Sequence, residues 1–176
     1  MSARAMPLGP VHVAIGGLEL TSADHARLLD PRVGGVILFA ANFCDRAQLV
    51  RLCADIHGVP TPRLLICADR EGGRVQRFRD GFTRLPPMRR IGELWDRDPA
   101  RARVLAFACG VTMAFELRDC GVDLSLAPVL DVDHGASTIM GERAFHSDAA
   151  AIAEIAGALI DGMAAGGMAS VGKHFP

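Results

Sequence analysis

The densest group of chemically capable residues is the run Asp69-Arg70-Glu71-Gly72-Gly73-Arg74-Val75-Gln76-Arg77. The paired glycines permit a tight turn directly behind a short apolar segment. A carboxylate fixed there accepts hydrogen bonds from neighbouring hydroxyls. Arg77, further along the run, can curl back as a fork-shaped donor. An Asp–Arg pair that only braces the loop is the plainer use of the same residues. A phosphate cradle is disfavoured, because neither the G-x-G-x-x-G nor the G-x-x-x-x-G-K-[ST] pattern is present. Three further groups carry chemistry: Asp131, Asp133 and His134; Glu142 and Arg143; and Lys173 with His174. For the last two the plainer readings are a surface ion pair, and a solvated Lys tip beside a satisfied His. The Asp131 group lacks a supporting ligand cluster, so no metal is expected there. His12, His25, His57 and His146 receive no role.

What could bring these groups together is the alternation of elements around them. Short apolar runs at Val11 to Ile15, Val36 to Phe39, Arg63 to Ala68, Val122 to Leu126 and Met168 to Val171 read as five strands. Continuous apolar runs of this kind suit strands buried on both faces. Between them lie helical patterns. Thr21 or Ser22 caps the first, which ends at Asp30-Pro31. Asp45 opens the second, with Leu49, Leu52, Cys53 and Ile56 on one stripe. Pro99 starts a third that stops at Gly121, and Ala151 to Ala165 is the fourth. A long connection from Arg70 to about Pro99 reads as a functional loop with a short helix around Ile91 to Trp95. Strict alternation predicts parallel strands with right-handed crossovers. A doubly wound open sheet and a β/α barrel both fit, and in both the ligand sits at the C-terminal strand ends. Those ends carry Asn42, the Asp69 run, the Asp131 group and Lys173-His174, so several strands deliver polar groups to one rim. Such a rim suits a hydroxyl-rich or anionic ligand.

Composition narrows the field. The chain has 176 residues, 50% hydrophobic and 22% charged, with formal net charge -1. It is not compositionally disordered. It has no basic excess to bind nucleic acid or an anionic membrane by bulk charge. No apolar run reaches the roughly 18 residues of a membrane span, and Met1 to Pro10 lacks a signal-type apolar core. Cys44, Cys53, Cys67, Cys109 and Cys120 form no C-x-x-C pair and read as reduced thiols of a cytoplasmic protein. The length suits one domain, yet a closed barrel usually takes about 200 residues or more.

The runs DREGGRVQRFRDGFTRLP (Asp69 to Pro86), APVLDV (Ala127 to Val132), GERAF (Gly141 to Phe145) and GKHFP (Gly172 to Pro176) resemble bacterial β-N-acetylglucosaminidases of glycoside hydrolase family 3, the NagZ type. The likeness runs from about Pro10 to Pro176, in order. It implies a TIM-like (β/α)8 barrel, of which this chain supplies about the first five strands. It implies removal of terminal β-linked N-acetylglucosamine from peptidoglycan fragments, chiefly anhydromuropeptides, in cell-wall recycling. By the same resemblance Asp69, Arg77, Arg143, Lys173 and His174 bind the terminal sugar, no metal or organic cofactor is used, and the complete protein is a monomer. Arg70 stands where the family commonly has Gln, with little functional change expected. Phe145 stands at a position that is often Tyr.

The family continues past K-H-F-P into a mobile Gly-His-Gly loop with a His acid/base, and its nucleophilic Asp lies later still. Residues 1–176 are therefore expected to be the N-terminal part of one barrel domain, ending after strand five, with the sugar-binding groups but without the catalytic pair. The alternatives are a non-catalytic sugar-binding or structural remnant, and a nucleotide-binding α/β protein that the missing phosphate loop disfavours. A chain ending there would also leave an open sheet edge and uncovered apolar faces, an aggregation risk.

Overall fold

The computed structural model describes residues 8–59 and 62–174. Residues 1–7 of the N-terminal stretch, and Phe175 and Pro176 of the G-K-H-F-P run, lie outside the described residues. The main sheet comprises β1 (Val11–Ala14), β2 (Val33–Leu38), β3 (Leu65–Ala68), β6 (Leu124–Ser125) and β7 (Ala169–Ser170), all parallel and side by side in chain order. The helices are α1 (Ser22–Leu28), α2 (Arg46–Gly58), α3 (Met88–Trp95), α4 (Pro99–Asp119) and α5 (Ala149–Ala165).

Two observations decide between the open sheet and the barrel. A doubly wound sheet reverses its strand order at a switch point, and this order never reverses. Helices on both faces would also give two cores. Instead Leu28, Leu52, Ile91, Met113 and Leu159, from all five helices, share one cluster with Val36, Leu38, Ile66 and Ala68 of the strands. By strand alternation Leu65 and Cys67 take the other face, and Leu65 is 36% exposed. One-sided helical cover on an unreversed parallel sheet is the geometry of a β/α barrel segment.

Local sequence explains most boundaries. Thr21 caps α1 in a reciprocal capping box with Asp24. Asp45 accepts from Gln48 N at 2.7 Å to cap α2. Asp98 accepts from Arg101 N at 3.0 Å, and Pro99 follows in the first turn of α4. Each such cap stabilises its helix by about 1 kcal/mol. Gly121 ends α4 in the left-handed region, at φ 87°. The stripe Leu49, Leu52, Cys53 and Ile56 is buried as its spacing predicts.

Three features differ from the sequence reading. The second strand begins at Val33, so Gly34 and Gly35 lie within it. A Cβ on Gly34 would meet Gly9 O at 1.9 Å, and one on Gly35 would meet the His12 ring at 2.6 Å, so these glycines serve close approach. The connection after β3 is not simply a loop: it opens with a small antiparallel hairpin of β4 (Arg70–Gly72) and β5 (Val75–Gln76). The short helix in it starts earlier than expected, at Met88. Apart from these differences, α4 and α5 cross on glycine. A Cβ on Gly110 would fall 2.1 Å from Leu159 O, and one on Gly162 would fall 2.1 Å from Phe107 O.

Candidate functional site

Asp69 leaves the C-terminal end of β3 and starts the hairpin. Gly72 and Gly73 turn it at φ 99° and 55°, values that side-chain-bearing residues rarely adopt. Gly73 N donates to Leu85 O at 3.0 Å, and Arg77 N donates to Asp69 O at 3.2 Å, so the hairpin returns Arg77 to its own starting point. Across the sheet, the segment after β6 runs alongside the segment after β7. Val171 N donates to Ala127 O at 2.8 Å, Lys173 N to Pro128 O at 3.1 Å, and Leu130 N to Lys173 O at 2.6 Å. That pairing sets Lys173 and His174 beside Asp131.

The side chains then form one connected network. Asp69 Oδ2 accepts from Arg77 Nη2 at 2.7 Å, and Asp69 Oδ1 accepts from Lys173 Nζ at 2.7 Å. Lys173 Nζ also lies 2.5 Å from Glu71 Oε1. Arg143 holds Glu71 in a two-pronged contact, Nε to Oε2 at 2.7 Å and Nη2 to Oε1 at 2.8 Å. Arg143 Nη2 lies 3.5 Å from His174 Nε2, and His174 Nδ1 lies 2.8 Å from Asp131 Oδ2. An ionised carboxylate only accepts. Nδ1 of His174 therefore carries the proton, and Nε2 is left as an acceptor. All five sequence-predicted residues, Asp69, Arg77, Arg143, Lys173 and His174, meet in this network.

Electrostatics suit binding better than proton donation. Burial alone would raise the Asp69 carboxyl, but hydrogen bonds from Lys173 and Arg77 outweigh it and hold it below the usual carboxylate range. Asp69 is thus ionised at neutral pH and cannot protonate a leaving oxygen. Its two oxygens are each tied to a cation, which blunts them as nucleophiles. The hydrogen-bonded Glu71 carboxylate in turn raises the Arg143 guanidinium. What remains is a ring of fixed N–H donors with Asp69 and His174 Nε2 as acceptors. Such alternation matches vicinal hydroxyls, each of which donates one hydrogen bond and accepts another.

Two members escaped the sequence reading. Glu71 was placed on the rim without a role, yet its side chain is 2% exposed and it joins Lys173 to Arg143. Strand alternation was the available signal, since it puts Glu71 and Arg70 on opposite faces of β4. Asp131, expected on the rim and disfavoured as a metal ligand, has a more specific part there: it fixes His174. Among the described residues no cluster of three or more His, Cys, Asp or Glu is arranged for a metal ion.

Other rim residues have structural duties. Asn42 is buried, accepts from Phe39 N at 2.8 Å and donates to Gly17 O at 2.8 Å. Asp133 pairs with Arg89 at 3.6 Å. Glu142 lies 4.0 Å from Arg74 and takes no part in the network. Arg70 points away from it altogether. Its side chain is 1% exposed, paired with Glu116 and stacked over Phe82 at 5.2 Å. Phe145 is fully buried in the core.

The fold and network agree with comparisons to known proteins. A model of the glycosyl hydrolase family 3 N-terminal domain matches residues 8–176. A beta-hexosaminidase of Nitrosospira multiformis is 56% identical over 171 residues, covering 97% of this chain and 49% of that protein. One from Aromatoleum aromaticum is 54% identical, covering 100% of this chain and 50% of that protein. The structure of NagZ from Neisseria gonorrhoeae in complex with N-trifluoroacetyl-D-glucosamine superimposes with a TM-score of 0.95 at 49% identity, covering 97% of this chain and 50% of that one. The chain thus spans about half the length of the curated relatives it matches. Unreversed parallel strands, a polar rim at their C-terminal ends and a family match over nearly every residue lead to one conclusion: this chain belongs to glycosyl hydrolase family 3.

Proposed function

We propose that this chain builds the sugar-binding part of an exo-acting β-N-acetylhexosaminidase that removes terminal β-linked N-acetylglucosamine from peptidoglycan fragments in the cytoplasm, during cell-wall recycling. The observation that carries the reading is the network centred on Asp69. In it Asp69 accepts from two sugar hydroxyls, Arg77, Arg143 and Lys173 donate to sugar oxygens, and His174 Nε2 accepts one further hydroxyl. The bound N-acetylglucosamine analogue in the Neisseria structure supports the choice of sugar. The complete enzyme works as a monomer on anhydromuropeptides.

A retaining glycosidase needs a nucleophile and an acid/base on either side of the scissile bond. The Asp69 network holds neither, because Asp69 and Glu71 are tied to Arg77, Lys173 and Arg143 and Asp131 is tied to His174. The nucleophilic Asp and the His acid/base belong to sequence after Pro176, in keeping with the half-length span of the match. Residues 1–176 therefore bind and orient the terminal sugar, while the bond is broken by groups outside them.

The test is a titration of the complete protein with N-acetylglucosamine, followed by an assay of the 176-residue chain with an aryl N-acetylglucosaminide. The complete protein binds the sugar, Asp69→Ala in it abolishes that binding, and the 176-residue chain alone does not hydrolyse the glycoside. Unchanged affinity in Asp69→Ala removes Asp69 from the site. Hydrolysis at a full enzyme's rate overturns the placement of the catalytic pair.

A further inference from the structure

Behind the Asp69 network, on the opposite face of β4, lies a buried charge pair that the sugar site does not itself use. The Arg70 side chain is 1% exposed and pairs with Glu116 of α4. Its Nη2 also donates to Thr83 O at 3.0 Å. Glu116 grips the same residue from the other side: Oε1 accepts from Thr83 Oγ1 at 2.7 Å, and Thr83 N donates to the carboxylate at 3.1 Å. On the returning strand β5, Gln76 Nε2 donates to Thr83 O at 3.0 Å, and Gln76 Oε1 accepts from Leu85 N at 3.3 Å. The hairpin, the segment around Thr83 and helix α4 thus meet at one point. The Arg70 carbonyl accepts from the buried Ser125 Oγ at 3.1 Å, which ties the same residue to β6.

Arg70 stands between Asp69 and Glu71, the two carboxylates that hold Lys173. The pleat that turns Arg70 toward α4 turns Glu71 toward the site. A rotation of the hairpin about its own axis therefore moves both carboxylates. A two-stranded ribbon is only marginally stable alone, so its orientation comes from what grips it. Burying an ion pair adds little stability, because an apolar pair of similar volume is often as good or better. What the pair supplies is direction: its charged hydrogen bonds to Thr83 fit one arrangement, and apolar side chains there would fit several.

We infer that Arg70 is a positioning residue for the sugar site, and that its pair with Glu116 sets the angle at which Asp69 and Glu71 present their carboxylates. The inference rests on the proposed function above and adds a control on sugar affinity from side chains buried behind the site. On this reading Arg70→Gln is not a neutral change, because it leaves Glu116 without its cation.

The test is made in the complete protein, with N-acetylglucosamine as the titrant and thermal unfolding as a parallel readout, at a temperature where each variant is folded. The double variant Arg70→Met/Glu116→Leu keeps a thermal midpoint close to the parent's. It binds the sugar about tenfold more weakly, because the hairpin is no longer held in one orientation. Arg70→Gln loses affinity in the same way, and decides the matter if the apolar pair does not fold. Leu28→Ala, in the core beneath α1, lowers the midpoint and leaves sugar affinity unchanged. Parent-like affinity in the apolar pair or in Arg70→Gln overturns the inference. So does an equal affinity loss in Leu28→Ala, which would trace the effect to stability alone. Asp69→Ala separates the two claims: unchanged affinity there removes the site and the positioning role together, whereas abolished binding there beside parent-like affinity in the apolar pair overturns the positioning role alone.

Discussion

Glu71 offers the sharpest test of how the site is held. Replacing it with Gln keeps the shape but removes the charge that Lys173 and Arg143 share. The network sets three carboxylates, Asp69, Glu71 and Asp131, against three cations, Arg77, Arg143 and Lys173, with His174 bonded to Asp131. In Glu71→Gln the amide NH2 also faces a donor, because both Glu71 oxygens now accept from cations. Removing one partner of a buried pair typically costs about 3–5 kcal/mol. The lower end applies, since Lys173 keeps Asp69 and the Arg143 side chain retains 13% exposure. A loss of about 3 kcal/mol, with a urea slope of about 2 kcal/mol/M for a domain of this size, lowers the unfolding midpoint by about 1.5 M. N-acetylglucosamine affinity should fall by about tenfold or more in the same variant, because two donors to the sugar lose their orientation. Glu71→Asp restores the charge without the reach and should recover part of both losses. A Glu71→Gln midpoint and sugar affinity equal to the parent's would refute the idea that this carboxylate organises the site.

Three further outcomes are expected. The Asp69 carboxyl is held below its ordinary value of 3.8, so its contribution to stability is complete well above that pH and is lost as pH falls through the folded-state value; urea midpoints at neutral and strongly acidic pH should differ less in Asp69→Asn than in the parent. Burial pushes the Cys53 thiol up to about 12 and those of Cys67 and Cys109 to about 11, while Cys44 is exposed; a disulfide reagent at mildly alkaline pH should therefore react promptly with Cys44 alone, and with the buried thiols only after unfolding. Gly110→Ala ought to gain about 1 kcal/mol from helix propensity, yet its Cβ would sit 2.1 Å from Leu159 O; a net loss of about 2 kcal/mol or more in thermal unfolding is expected, and a gain would show that α4 and α5 separate freely.

Much of this architecture is written locally. Thr21, Asp45 and Pro99 mark helix starts because a cap or a fixed φ acts within one turn. Gly121 marks a stop because few other residues adopt its backbone conformation. The five strands follow from apolar runs, and their alternation with helices places Asp69, the Asp131 group and Lys173 on one rim. Direction within the rim was harder to read. Arg70 and Glu71 are neighbours of similar polarity, and both follow a strand. Only the hairpin, whose pleat sends one inward and the other outward, makes Arg70 a buried brace on Glu116 and Glu71 the centre of the site.

The sequence by itself determined the order of elements, the end of the sheet that carries polar groups, and the motifs that resemble the family. These rest on propensity, capping and periodicity, which operate over a few residues. Tertiary structure decided which polar groups meet. The Glu71–Arg143 contact, the Asp131–His174 pair and the glycine crossing of α4 and α5 join residues far apart in the chain. Their distances depend on how strands stack and loops pair, and no local pattern encodes that.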